Sequence, residues 1–127
     1  MRFEHFGINV PDPVAMAAWY VKHLKMKVVR SMNTEPFTHF LGDEQGRVCM
    51  EVYANKLVEI PDYNKLHPLQ FHCAFEVTDP QKLSELLIAD GAKFCEEVRP
   101  DEKSLLIMLR DPWGIPLQLC KRSVPML

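Results

Sequence analysis

The chain has 127 residues, 47% apolar and 25% charged, a balance that excludes a disordered or fibrous protein and suits one compact domain or two small modules sharing a core. A net charge of −2 offers no basic excess for a phosphate backbone, so nucleic acid is not expected as a partner. The longest apolar runs, such as Leu105 to Leu109, fall far short of the roughly 20 residues that span a bilayer, and the opening Met1-Arg2-Phe3-Glu4-His5 has no apolar signal core behind it; a cytoplasmic protein without a membrane partner is expected.

The first predicted strand carries Phe6, Ile8 and Val10 on one face and Phe3, His5, Gly7 and Asn9 on the other. Asp12 then fits a helix N-cap and Pro13 the first helical position, where a missing N–H costs nothing. Val14, Ala17, Ala18, Val21 and Leu24 are the expected apolar stripe of that helix. Strands are predicted near 27–31, 37–42 and 47–54, with Asp43-Glu44-Gln45-Gly46 as a turn between the last two. Residues 55–69 hold Pro61, Asn64 and Pro68 and read as a linker. The same order then returns. A strand carries Phe71, Phe75 and Val77, Asp79 and Pro80 start a helix, and Leu83, Leu86 and Leu87 form its stripe. Gly91 stops the helix, and strands follow near 93–98, 103–110 and 115–121, with Asp111-Pro112-Trp113-Gly114 as the last turn. The chain thus reads βαβββ twice, an α+β fold with module one at about 1–54, the linker at 55–69 and module two at about 70–127. The cysteines, Cys49, Cys73, Cys95 and Cys120, are widely spaced with no Cys-x-x-Cys pair, so all four are expected reduced and mostly structural.

The two halves align at one offset. His72, Val77, Asp79 and Pro80 each lie 67 positions after His5, Val10, Asp12 and Pro13, and Gln118 lies 67 after Glu51. A set of matches at one offset points to a duplicated module. Strand parity then sorts the side chains. Val48, Met50 and Val52 are expected to face the core, as are Leu117 and Leu119, whereas His5, Glu51, His72 and Gln118 fall on the face that the helices leave uncovered. Either histidine alone would read as surface or hydrogen-bonded structure. Two histidines at symmetric positions, each with a polar residue 46 positions later, point instead to an N/O metal site suited to Zn, Ni, Mn, Co or Fe(II).

On these residues the sequence resembles the vicinal oxygen chelate superfamily, which includes glyoxalase I, methylmalonyl-CoA epimerase, extradiol dioxygenases and bleomycin-resistance proteins. The resemblance is carried by His5-x-x-Ile-x-Val-x-Asp12, Trp19-Tyr20 through Met26, His72-x-x-Phe-x-Val-x-Asp79, and Asp111-Pro112-Trp113-Gly114 through Leu119. It implies two βαβββ modules forming a cupped, incomplete barrel with helices outside, around one divalent metal held at His5, Glu51, His72 and position 118. Two departures stand out. Gln118 replaces the usual Glu, and an amide cannot act as a base, so that role would fall to Glu51. Lys25 stands where the family usually has Gly, which implies a different helix exit.

The implied function is glyoxalase- or epimerase-like: proton abstraction next to a carbonyl of a small-molecule substrate, with Glu51 as base and Asn9, Tyr53 and Glu76 contacting substrate, along with His39. The alternatives are an Fe(II) extradiol-type dioxygenase using His5, His72 and Glu51, or a metal-free binding or resistance protein lined by Phe3, Tyr53 and Trp113. The family also implies a homodimer, with modules paired within a chain or swapped between two.

Overall fold

The computed structural model describes residues 1–126, and of Val48 the backbone alone. The expected inward orientation of the Val48 side chain therefore lies outside the described residues. The chain divides into two compact units, Met1–Pro61 and Asp62 onward.

The first unit contains β1 (Phe6–Asn9), α1 (Pro13–Leu24), β2 (Lys27–Ser31), β3 (His39–Gly42) and β4 (Val48–Tyr53). Its sheet runs β1-β4-β3-β2, with β1 parallel to β4 and the other pairs antiparallel. The second unit opens with a 3-10 turn, Tyr63–Lys65, and continues with β5 (Cys73–Glu76), α2 (Pro80–Ala89), β6 (Lys93–Val98), β7 (Leu105–Arg110) and β8 (Pro116–Lys121). Its order, β5-β8-β7-β6, has the same mixture of parallel and antiparallel pairs. The fold is thus α+β, two four-stranded mixed sheets with one helix each. The duplication extends to strand register: Gly7 lies opposite Glu51, and Ala74 opposite Gln118. Among the described residues no helix is long and apolar enough to cross a membrane.

Both helices start as their sequences dictate. Asp12 accepts a bond from the Ala15 N–H at 2.9 Å, and Asp79 one from the Lys82 N–H at 3.1 Å. Each such cap stabilises its helix by about 1 kcal/mol. The buried stripes differ from the expected ones. In α1, Pro13, Met16, Ala17, Trp19 and Tyr20 are buried, while Val14 and Val21 are 51% and 40% exposed and Ala18 is also on the outside. In α2, Pro80, Ser84 and Leu87 are buried and Leu86 is 54% exposed. The proline at the first helical position fixes the phase: it packs inward, and the residues three, four and seven positions on share its face. The large side chains of Met16 and Tyr20 then fill the core that smaller apolar residues one or two positions away were expected to fill.

Unit one closes over Ile8, Val10, Met16, Tyr20, Leu41, Met50 and Val52, and unit two over Leu87, Ile107, Leu109, Ile115, Leu117 and Leu119. Each fully buried side chain of this size contributes roughly 1.5–3 kcal/mol of transfer free energy. Lys25 also corrects an expectation. It caps α1 in the left-handed conformation, φ 55° and ψ 23°, which glycine usually supplies, so the helix exits as it would with glycine and the lysine bears the strain. The four cysteines are free thiols, as expected.

Candidate metal centre

His5 and Glu51 are brought together by β1 and β4. His5 sits one residue ahead of β1, and Glu51 lies opposite Gly7, so both share the sheet face turned away from α1. His5 Nε2 stands 3.5 Å from Glu51 Oε2, and both side chains are partly shielded, at 29% and 23% exposure. On its other side His5 Nδ1 lies 2.8 Å from the Glu4 carboxylate. A carboxylate only accepts, so Nδ1 carries the hydrogen, and in the neutral ring Nε2 presents its lone pair towards Glu51. A positive charge here, carried either by the protonated imidazole or by a bound cation, satisfies both His5 Nε2 and the Glu51 carboxylate. Phe40 meets the imidazole edge-on, with ring centroids 5.4 Å apart, and limits its rotation.

His72 holds the matching place, one residue ahead of β5, and is exposed. Its Nδ1 donates to the Pro68 carbonyl at 2.9 Å, which again leaves Nε2 as the lone-pair nitrogen. Pro68 in turn sits in a closed turn, where Gln70 N–H donates to the His67 carbonyl and His67 N–H to Gln70 Oε1, both at 2.8 Å. Arg110 anchors the segment ahead of it, donating to the carbonyls of Tyr63 at 2.7 Å, Leu66 at 2.6 Å and Gly114 at 3.0 Å. Gly114, at φ 88°, lets Asn64 press against its backbone; a Cβ there would lie 2.6 Å from the Asn64 amide. Sequence reasoning missed this clamp. An arginine ending a strand carries no signal of the carbonyls it will bind.

Gln118 is half-buried on β8, and its Oε1 accepts a bond from the Cys120 thiol at 3.2 Å. Burial raises the pKa of the Cys120 thiol, and burial also raises that of Cys49, so both stay protonated. Neither is an expected ligand.

The remaining expected contact residues have distinct surroundings. Asn9 is buried and its amide is engaged by a neighbouring turn: it donates to the Asn55 carbonyl at 2.9 Å and accepts from the Asn55 N–H at 2.7 Å. Tyr53 is half-buried beside Gly7, Glu76 is exposed on β5, and His39 Nδ1 donates to the Phe37 carbonyl at 2.8 Å. Among the described residues no group of three or more His, Cys, Asp or Glu is placed to hold a metal ion. The His5–Glu51 pair supplies two donor atoms of the N/O type 3.5 Å apart, and donors of this chemistry fit a divalent cation.

A family model described as the Glyoxalase/Bleomycin resistance protein/Dioxygenase superfamily matches residues 2–119. No curated protein matches the sequence. Among solved structures, glyoxalase I from Zea mays superposes with a TM-score of 0.73 at 24% identity over 97% of this chain. The match covers 45% of the maize chain, so this chain spans less than half of that protein. A glyoxalase-related enzyme from Fulvimarina pelagi gives 0.70 at 17% identity, covering 98% of this chain and 90% of its own. A glyoxalase/bleomycin resistance protein from Albidiferax ferrireducens gives 0.64 at 18%, covering 95% and 98%. At these identities the likeness is one of fold.

Proposed function

Since the chain belongs to the glyoxalase/bleomycin resistance protein/dioxygenase superfamily, we propose that it is a divalent-metal-dependent enzyme of the glyoxalase or epimerase type, removing a proton next to a carbonyl of a small substrate. The observation that carries the proposal is the His5–Glu51 pair, an imidazole nitrogen set against a carboxylate oxygen at 3.5 Å. The proposed ligands are His5 and Glu51 in the first unit and His72 and Gln118 in the second. When bound, the cation would polarise the substrate carbonyl and so acidify the neighbouring C–H.

Every other role falls to the chain itself. Glu4 and the Pro68 carbonyl fix the tautomers of His5 and His72. Glu51 is the one carboxylate in the set, and so the group that takes the proton; Gln118 contributes an oxygen but no basicity. Tyr53 contacts the substrate beside Glu51, and Glu76 does so from β5. Asn9 supports the same surface by holding the chain at Asn55 as it leaves β4. The protein is proposed to work as a cytoplasmic homodimer.

The test is exchange of the α-proton with solvent deuterium, followed by NMR, over a panel of α-hydroxy ketones and thiol adducts of α-keto aldehydes. Metal-loaded protein is expected to catalyse exchange with at least one of them, and Glu51→Gln to lower that rate by about 100-fold or more. Full exchange in Glu51→Gln contradicts Glu51 as base. Oxygen uptake with catechols by iron-loaded protein, without exchange, would establish extradiol dioxygenase chemistry instead.

A further inference from the structure

Gly7 occupies the centre of a strand, where glycine has little to recommend it. It packs nothing and orders a chain that is unusually free when unfolded. Its backbone does not require glycine either. The glycines with positive φ are Gly46, Gly91 and Gly114, and Gly7 is not among them. What remains is space. A Cβ on Gly7 would lie 3.0 Å from Glu51 Oε2, 3.2 Å from Tyr53 Cε1 and 3.7 Å from the Tyr53 hydroxyl. The first two are tighter than ordinary contacts of carbon with oxygen or an aromatic carbon. Glu51 and Tyr53 therefore lie over β1 in the room left by the missing side chain.

We propose that Gly7 is a positioning residue of the Glu51 site: its bare backbone is the floor that brings the Glu51 carboxylate to His5 and sets the Tyr53 ring and hydroxyl beside it. The inference rests on the cation-dependent function proposed above for the consequence, and on the contact geometry alone for the floor. Glu51 is the mobile partner. Its carboxylate ends a flexible side chain, so an added methyl group displaces it by a few tenths of an ångström, away from its place 3.5 Å from His5 Nε2. The repeat gives the contrast. Ala74 takes the corresponding position opposite Gln118, so the half with the carboxylate and the tyrosine is the half whose strand centre has no side chain.

Two measurements on Gly7→Ala decide the matter. The first uses metal-free protein: 13C NMR of the Glu51 carboxyl and the Tyr53 ring. Both resonances are expected to move relative to wild type while the thermal midpoint holds, since alanine suits a strand at least as well as glycine. The second titrates Co(II) or Zn(II) alone by calorimetry, and Gly7→Ala is expected to bind about tenfold to 100-fold more weakly, the usual cost of disturbing what orients a ligand. Unmoved Glu51 and Tyr53 resonances overturn the floor, whatever the cation does. Moved resonances with unchanged affinity overturn its role in placing Glu51 for the ion. Wild type that takes up no cation sinks the metal-dependent function instead, while the resonances still decide whether Gly7 places Glu51 and Tyr53.

Discussion

Arg110→Met removes the clamp on the segment that leads to His72. In the native chain one guanidinium serves three backbone carbonyls, those of Tyr63, Leu66 and Gly114, at 2.6 to 3.0 Å. Methionine keeps most of the apolar stem and deletes only the donors. Hydrogen bonds with one charged partner are worth roughly 1.5–3 kcal/mol each when buried. These are part-buried and water reaches the carbonyls left behind, so about 1 kcal/mol apiece is the appropriate figure, or about 3 kcal/mol in all. For a chain of this length that lowers the thermal midpoint by roughly 10 °C. Urea unfolding followed by circular dichroism reads the change in stability. Limited trypsin digestion reads the local part, because Lys65 lies inside the clamped 3-10 turn and should be cut first. The damage should also reach the site. The Pro68 carbonyl that orients His72 lies just beyond Leu66, so Co(II) affinity falls as well. A loss under about 1 kcal/mol, with Lys65 still protected, would show that solvent serves these carbonyls as well as the guanidinium does.

Lys25→Gly should raise stability by about 0.5–1 kcal/mol, since glycine takes the left-handed cap without strain; a lower urea midpoint would show that the lysine makes up for its backbone. The hydroxyl of Ser104, the backbone N–H of Lys103 and the hydroxyl of Ser123 hold the Asp101 pKa below its ordinary 3.8. A carboxylate lowered on folding adds stability above its unfolded pKa and loses it as the pH falls through the folded value. The urea midpoints of wild type and Asp101→Asn should therefore differ at about pH 6, and the gap should narrow as the pH falls below 3.8; a constant gap would contradict the assignment.

How far the sequence reaches is plain from particular residues. The offset of 67 positions, the caps at Asp12 and Asp79, and the alternation along β1 and β5 depend on local chemistry and chain periodicity, and the structure repeats them down to the pairing of Gly7 with Glu51 and Ala74 with Gln118. Periodicity was only partly right in the helices: Ala17 and Leu87 are buried as expected, but the stripe of α1 was phased on its small apolar residues and not on Pro13, so Met16 and Tyr20 were missed. Parity placed Asn9 on the correct face but said nothing of the Asn55 backbone that engages its amide, since a face is a local property and a hydrogen-bond partner 46 residues away is not. Gly7 and Arg110 escaped for the same reason: their roles exist only once distant segments pack against them.

Metal content tests the proposed roles of His5, Glu51, His72 and Gln118 as ligands of a divalent cation. The most direct measurement is elemental analysis of protein expressed in metal-supplemented medium and purified without chelators, for wild type, His5→Ala and His72→Ala. Wild type should carry about one divalent ion per chain, and each variant should lose most of it while keeping its native circular dichroism spectrum. Metal-free wild type, or folded variants that keep their full metal, would rule out these histidines as ligands.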